Sequence, residues 1–247
     1  QTIVRTEIRR FTRIWVQTMI PPAITMTLYF IIFGSLIGRR IGEMGGFDYM
    51  AYIVPGLIMM SVIINSYTNV SSSFFGSKFG RFIEEMLVSP ISNQTILLGY
   101  VTGGVARAMS VGIIVTILSL FFTDLVIHNM FAVVSITVLT AVLFSLLGFI
   151  NGVYAKRFDD VSIVPTFVLT PLTYLGGVFF SIDLLPDFWA GVAQLNPILY
   201  VVNAFRFGIL GVSDISLGWA YGILISMTIV AYVIALRLLT NGAGVRS

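Results

Sequence analysis

Long stretches without charged residues alternate with short polar segments along this chain. Between Asp124 and Lys156 the sequence contains no Lys, Arg, Asp or Glu. A helix needs roughly 20 apolar residues to cross a hydrocarbon core about 30 Å thick. Comparable runs occupy residues 14–38, 49–77, 161–182 and 215–236, and a fifth, 86–122, is interrupted only by Arg107. The pattern predicts that lipid surrounds most of this protein.

These runs predict an all-α integral membrane protein with six transmembrane helices in a single domain, residues 1–247. The predicted spans are 19–38, 50–72, 97–122, 130–154, 162–180 and 218–239. Composition agrees, because only 10% of residues are charged and the mean hydropathy is +0.98, against about 25% charged residues in soluble domains. A soluble fold this apolar would leave too little polar surface to cover itself.

Residues 1–17 predict an amphipathic helix that lies on the inner membrane surface. Ile3, Ile8, Phe11 and Trp15 fall close to one helical face, and four arginines cover much of the rest. A basic amphipathic helix of this kind is typical of the membrane interface. The alternative is a cytosolic extension of the first span.

The distribution of basic residues predicts that both termini are cytoplasmic. With the N-terminus inside, ten of the fourteen Lys and Arg residues lie in cytoplasmic segments. Arg39, Arg40 and Arg206 lie outside, and Arg107 lies within a span. This bias follows the positive-inside rule, with Arg39 and Arg40 as the exception.

The sequence lacks the residue patterns of common catalytic and nucleotide-binding sites. It contains no P-loop, no HExxH motif and no nucleophile elbow. The absence of cysteine excludes disulfides and thiolate metal sites, and a single histidine, His128, argues against a metal centre. A membrane-embedded enzyme is therefore disfavoured, since no clustered catalytic set supports it.

Acidic residues are also missing from the predicted spans. All eleven lie in or beside the connecting segments. Ion-driven carriers usually hold Asp, Glu or His inside the membrane to bind the coupling ion. An ion-coupled carrier or channel therefore remains the weaker alternative, and the energy for any transport is expected to come from elsewhere.

The largest internal cytoplasmic segment, residues 74–95, predicts a short charged helix that Pro90 terminates. Its sequence Glu-Glu-Met-Leu-Val-Ser-Pro at 84–90 resembles the coupling helix of ABC-2 type transporter permeases. The resemblance assigns contacts with a separate ATPase to six residues. They are Arg81, Phe82, Glu84, Glu85, Met86 and Leu87.

A second match to the same family lies in the last third of the chain. The external segment 181–213 contains a charge-free stretch, 188–205, that is too short and too interrupted by proline to span, which indicates a re-entrant hairpin between spans five and six. Together with Leu-Thr-Pro-Leu-Thr-Tyr-Leu-Gly-Gly-Val-Phe-Phe at 169–180, it resembles the fifth span and external helices of the family. The residues singled out in the hairpin are Pro186, Asn196, Pro197 and Arg206.

The resemblance covers nearly the whole chain and extends to the YadH-type inner-membrane permeases of Gram-negative bacteria. It implies a half-transporter: two copies of this subunit joined to two copies of an ATPase, which would bind the ATP and Mg while this chain holds no cofactor. It implies outward transport across the bacterial inner membrane, with membrane lipids as further partners and no nucleic acid. The expected cargo is amphipathic, namely a drug-like molecule, a lipid or a lipid-linked saccharide, because a charged cargo would need counter-charges inside the membrane.

Six residues are candidates for a transport pathway or gate, and most of them allow a second interpretation. They are Asn65, Asn69, Arg107, Tyr174, Phe179 and Phe180. The amides could coat an aqueous path or bond between helices. Arg107 could meet an anionic headgroup, or it could reach the inner surface if the third span begins after it. The aromatic residues, which follow the helix-disrupting Pro165 and Pro171, could form an external gate or anchor the protein at the interface. Arg206 could bind phosphate or cap the hairpin.

Overall fold

The computed structural model describes residues 2–242, without the side chains of Glu84 and Leu87. Arg246, one of the ten basic residues assigned to the cytoplasm, lies outside the described residues. The helices are α1 (Thr2–Arg13), α2 (Trp15–Tyr29), α3 (Gly38–Ile41), α4 (Tyr49–Phe79), α5 (Phe82–Val88), α6 (Asn93–Ser119), α7 (Met130–Tyr154), α8 (Phe158–Val164), α9 (Thr170–Leu175), α10 (Asp187–Gln194), α11 (Pro197–Leu210) and α12 (Leu217–Asn241). Two π-helical segments, Phe30–Ile37 and Pro165–Leu169, join α2 to α3 and α8 to α9, a 3₁₀ turn covers Ile182–Leu184, and strands β1 (Glu43–Met44) and β2 (Phe47–Asp48) form an antiparallel hairpin.

Five helices in the described part of the chain are long and apolar enough to cross a membrane. They are Trp15–Ile41, Tyr49–Phe79, Asn93–Ser119, Met130–Tyr154 and Leu217–Asn241. The prediction of an all-α membrane protein is confirmed. The third span begins and ends slightly earlier than predicted, at Asn93 and Ser119.

The fifth predicted span, 162–180, is not among these five helices. Here α8, the π-helical segment and α9 form one run of helical turns from Phe158 to Leu175. The prolines are expected to kink or break this span, and the structure has wide π-helical turns that begin at Pro165. The run ends before Gly177, whose φ of 72° is a conformation that glycine adopts without strain.

Helix α4 is the centre of the molecule. In its most apolar stretch of 18 residues, 89% is buried, whereas the corresponding stretches of the first and last spans are only 17% and 22% buried. It packs mainly against α6 and α7, and α11 covers a further part of it. The outer helices α2 and α12 therefore offer most of their surface to lipid.

Small residues, such as Gly148 and Gly152 four positions apart on α7, allow these helices to approach closely. A Cβ at Gly148 of α7 would overlap the carbonyl oxygen of Tyr67 on α4, and one at Gly152 would lie 3.0 Å from the carbonyl oxygen of Ser71. On α6, a Cβ at Gly112 would lie 3.0 Å from Val62. Since lipid is as apolar as the side chains, such close contact is a main source of helix association.

We expect Gly148→Ala to destabilise the protein by about 1–3 kcal/mol, because the added methyl group forces α7 away from the backbone of α4. Gly222→Ala on α12 is the matched control, since a Cβ there meets nothing within 4 Å. Thermal unfolding in detergent measures both. Equal midpoints for the two variants would contradict the close α4–α7 contact.

Candidate functional site

Helix α1 is a separate element that docks on α6. Ile14 interrupts the helix between α1 and α2, since its φ of −111° and ψ of 36° are not helical, so α1 is not a simple extension of the first span. Ile3 covers Gly99, and the Cβ of Glu7 would lie 2.6 Å from a Cβ added to Gly103. Helix α1 thus packs against Gly99 and Gly103 of α6.

The side of α1 that packs on the protein carries Glu7 and Phe11, which are 5% and 4% exposed, whereas Ile8 and Trp15 are 36% and 56% exposed. An interfacial helix leaves apolar side chains free to meet lipid, so the exposure of Ile8 and Trp15 does not contradict the predicted face. Apolar periodicity does not indicate the buried position of Glu7, because partners on another helix stabilise that charged side chain.

Four polar residues on α4, spaced four apart, form a line that we call the α4 polar stripe: Ser61, Asn65, Asn69 and Ser73. Residues four apart lie on the same face of a helix. Asn65, Asn69 and Ser73 each form a hydrogen bond with a charged residue of another helix. The α4 polar stripe is consistent with both interpretations of the amides, hydrogen bonding between helices and the lining of an aqueous path.

The end of the α4 polar stripe at Asn69 and Ser73 anchors α1. Ser73 Oγ donates to Glu7 Oε1 at 2.6 Å, and Arg10 Nη2 donates to both Asn69 O and Asn69 Oδ1 at 2.9 Å. Arg10 also pairs with Glu7 at 3.4 Å. Burial raises the pKa of Glu7, although Arg10 and the hydrogen bond from Ser73 oppose the shift. Asn69 is fully buried in this anchor and is not among the residues that line the cavity beside Arg107.

One turn away, Asn65 contacts Arg107. Arg107 Nη2 donates to Asn65 Oδ1 at 3.2 Å. Helix α6 is continuous from Asn93 to Ser119, so fourteen of its residues precede Arg107 and twelve follow it. The arginine therefore lies near the middle of this apolar helix.

A cavity of about 380 Å³ lies beside Arg107, between α2, α4 and α6. Asn65, Arg107 and several hydroxyl or amide side chains line it together with apolar residues. The polar lining includes Gln17, Thr25, Ser61, Thr68 and Thr170, and the apolar lining includes Pro21, Pro22, Met26, Met60 and Ile64. The cavity therefore has the mixed surface that an amphipathic ligand requires.

An aromatic cluster adjoins this cavity. Tyr29 lines the cavity, and its hydroxyl lies 3.0 Å from that of Tyr174. The ring of Phe179 lies 4.5 Å from that of Phe33 and 5.7 Å from that of Tyr174. Tyr174 and Phe179, two of the three predicted gate residues, thus contact the first span here. Phe180 takes no part in the ring contacts of the described residues.

Arg206 is a fully buried residue of α11. Its Nη2 donates to Gly177 O at 2.6 Å, its Nε donates to Tyr52 O at 3.3 Å, and its guanidinium lies 3.9 Å from the centre of the Tyr52 ring. These contacts tie α11 to the turn after α9 and to α4. They are the contacts of a hairpin cap, and with no exposed surface Arg206 is not placed to bind an outer phosphate.

The segment between the fifth predicted span and α12 forms two short helices, α10 and α11, with a tight connection. Pro186 precedes α10, and Pro197 is the first residue of α11. Asn196 caps α11 by accepting from Ile198 N at 3.0 Å, and it donates to Leu172 O of α9 at 2.6 Å. The hairpin is thus fixed to the preceding helix.

The predicted coupling segment contains the short helix α5. It begins after Arg81, whose φ of 60° is the one positive value at a non-glycine position in the described chain, and it ends at Val88, two residues before Pro90. Phe82 is 60% exposed, and Arg81 and Glu85 are also exposed, whereas Met86 is half-buried. The side chains of Glu84 and Leu87 lie outside the described part of the structure. Ile83, at 1% exposure, holds α5 against the core.

Helix α8 begins at the same end of the molecule as α5. The ring of Phe158 lies 5.1 Å from that of Phe79 at the end of α4 and 4.9 Å from that of Phe75. Lys78 donates to the carbonyl oxygens of Val153 and Ala155 at the end of α7. The ends of α4 and α7 and the starts of α5 and α8 therefore form one face.

Sequence reasoning missed Glu7, Tyr29 and Tyr52. Glu7 carried a usable signal, since it is the one acidic residue among the first 42 positions. The aromatic residues carried none, because tyrosine is common in apolar spans and their partners Tyr174 and Arg206 lie far away in the sequence.

Comparison with known proteins gives three findings. The family model described as ABC-2 type transporter matches residues 1–210. The chain is 61% identical to the inner membrane transport permease YadH of Escherichia coli K12 over 241 residues, which cover 98% of this chain and 94% of that protein. It is 23% identical to nodulation protein J of Rhizobium meliloti strain 1021 over 215 residues, which cover 86% and 81%.

The raised pKa of Glu7 predicts how stability changes with pH. A carboxyl group whose pKa in the folded protein exceeds its ordinary value of 4.5 stabilises the fold below pH 4.5, and this stabilisation is lost as the pH rises through the folded-state pKa. The wild type should therefore lose stability relative to Glu7→Gln when the pH is raised from about 5 to about 8. Thermal unfolding at the two pH values measures the difference. Glu43→Gln, at an exposed carboxylate, is the control, and the same pH response in both variants would contradict the burial effect.

Proposed function

This chain belongs to the ABC-2 type transporter family and is an inner-membrane transport permease, and on this premise we propose that it is the membrane subunit of an ATP-driven exporter. A separate ATPase subunit would bind the ATP and Mg, because the sequence has no P-loop. Two copies of the chain and two copies of the ATPase would form the transporter. The family match supports an ATPase partner in general terms.

The observation that carries the proposal is the helix α5. Seven residues long, it projects between α4 and α6 with Phe82, Glu85 and Val88 exposed, and Val88 is 89% exposed. Exposed aromatic side chains such as Phe82 are enriched at protein interfaces. We infer that α5 inserts into the ATPase, so that movement of the ATPase is transmitted to α4 and α6, the two helices that flank it.

A six-span topology fits this arrangement. The helical run from Phe158 to Leu175 has eighteen residues and is about 27 Å long at a rise of about 1.5 Å per residue, which is close to the roughly 30 Å hydrocarbon core. It begins on the same face as α5 and leads to the hairpin of α10 and α11. With α5 in the cytoplasm, the N-terminus would also be cytoplasmic and the hairpin would be external.

The cargo would be amphipathic and would move outward through the region of the cavity beside Arg107. That cavity offers polar and apolar surface together. The aromatic cluster of Tyr29, Phe33, Tyr174 and Phe179 adjoins it and would act as its gate. An ion-coupled carrier is the second candidate. The buried carboxylate Glu7 does not favour it, because Glu7 lies on α1, outside the five apolar spans, and is paired with Arg10.

We expect the double variant Glu84→Lys/Glu85→Lys to reduce the amount of ATPase that co-purifies with the permease at least about tenfold, since reversing two charges at an interface makes its electrostatics unfavourable. Glu43→Lys on β1 is the control, because it changes one exposed charge on the opposite side of the proposed topology. Unchanged co-purification together with unchanged stimulation of ATP hydrolysis would remove the coupling role from α5.

Cysteine labelling tests the topology without a background signal, since the sequence has no cysteine. We expect Glu43→Cys and Val88→Cys to react with a membrane-impermeant maleimide from opposite sides of the membrane. Val62→Cys, fully buried on α4, is the control and should not react. Labelling of both exposed sites from the same side would overturn the proposed arrangement.

A further inference from the structure

Arg107 is a charged residue in an apolar helix whose hydrogen-bonding groups are only partly used. A guanidinium carries five N–H donors. Nη2 reaches Asn65 Oδ1, but Nε is buried and has no partner among the described residues. An amide oxygen supplies a dipole and not an opposite charge. Charged side chains inside a membrane segment are rare and usually paired, so an arginine without an anion at this depth indicates a functional site.

The charges around Arg107 do not balance within the described structure. Arg10 and Arg107 bond to Asn69 and Asn65, which lie one turn apart on α4. Glu7 is the acidic residue in this cluster, and it is already paired with Arg10 at 3.4 Å and bonded to Ser73. Among the described side chains no carboxylate lies within 4.0 Å of Arg107. The cluster therefore holds one excess positive charge, which attracts an anion strongly where the dielectric constant is low.

The cavity provides the space for that anion and for an attached apolar group. Its volume is about 380 Å³, within the general size range of small-ligand sites, about 300–1,000 Å³. Met26, Met60 and Ile64 form the apolar part of its lining. One wall belongs to α2, whose span is only 17% buried, so the site lies next to surface that the protein leaves to lipid.

From these observations we propose that the cavity binds the anionic headgroup, phosphate or carboxylate, of an amphipathic molecule, with Arg107 as its counter-charge and Asn65 as the residue that positions Arg107. This inference rests on the proposed function, since it names the chemical class of the substrate at the proposed pathway. A neutral saccharide leaves the excess charge uncompensated, and a cation is repelled by it. A small inorganic anion gains nothing from the apolar lining.

The test measures lipid binding to the purified full chain in a neutral detergent, without the ATPase, by native mass spectrometry. Phosphatidic acid and phosphatidylcholine with the same acyl chains are the two probes. We expect the wild type to bind phosphatidic acid at least about tenfold more tightly, and Arg107→Gln to lose most of this preference. Arg107→Lys, which keeps the charge, should retain part of it. Equal binding of the two lipids by the wild type would overturn the proposal.

Two further variants separate Arg107 from the other arginines and from effects on folding. Arg237→Gln on α12 removes an exposed arginine from another span and should keep the preference. Thr68→Asp keeps Arg107 and adds a carboxylate to the cavity lining, so it should abolish the preference by supplying an internal counter-ion. A preference that survives both Arg107→Gln and Thr68→Asp would place anion binding elsewhere, for example on the arginines of α1, and would overturn the proposal.

A second arm identifies the source of the headgroup. In proteoliposomes with the partner ATPase and ATP, a fluorescent short-chain phosphatidic acid either moves between leaflets or stays bound. Movement marks the anionic amphipath as cargo, and binding without movement marks it as a bilayer lipid held at the site; both results keep the site at Arg107. If a phosphatidylcholine probe with the same chains also shows no ATP-dependent movement while selective binding of phosphatidic acid is intact, the result would count against the exporter proposal and not against the anion site.

Discussion

A bilayer offers no water to a buried polar group, and this constraint shapes the centre of the molecule. Helix α4 carries Asn65, Asn69 and Ser73 at positions that protein covers. Each of them meets a charged residue from a different part of the chain, and those contacts fix α1 and α6 around α4. Close packing at Gly148 and Gly152 fixes α7 on the other side. The α4 polar stripe and the glycine contacts together account for the central place of α4.

The far end of the same helix connects to the hairpin of α10 and α11. Tyr49 donates to Phe179 O at 3.1 Å, and the Tyr52 backbone and ring hold Arg206. Arg206 in turn fixes the carbonyl of Gly177. One continuous helix therefore links the anchor of α1, the cavity beside Arg107 and the turn that carries the aromatic cluster. A shift of α4 would act on all three. This suits a subunit in which movement of the ATPase is proposed to be transmitted through α5, next to the end of α4.

Much of the architecture could be predicted from the sequence, because the signals are local. Charge-free runs gave five of the spans, and Pro90 with its preceding charged residues gave α5. The site was less accessible. The partners of Asn69 and Arg206 lie 59 and 154 positions away in the sequence, so no local pattern indicates these contacts. The burial of Glu7 on α1 could not be predicted for a related reason, since apolar periodicity places charged residues at solvent positions, whereas Ser73 and Arg10 stabilise Glu7 in a buried position.

Paired contacts of this kind also constrain how the chain can evolve. The oxygen of Asn65 and the guanidinium of Arg107 serve each other, as do Glu7 and Ser73. A lineage that loses one member of a pair leaves the other buried without a partner, so the two positions should drift together and not singly. Among proteins that descend from this one, substitutions on the central helix should therefore be correlated with substitutions at distant positions in the sequence.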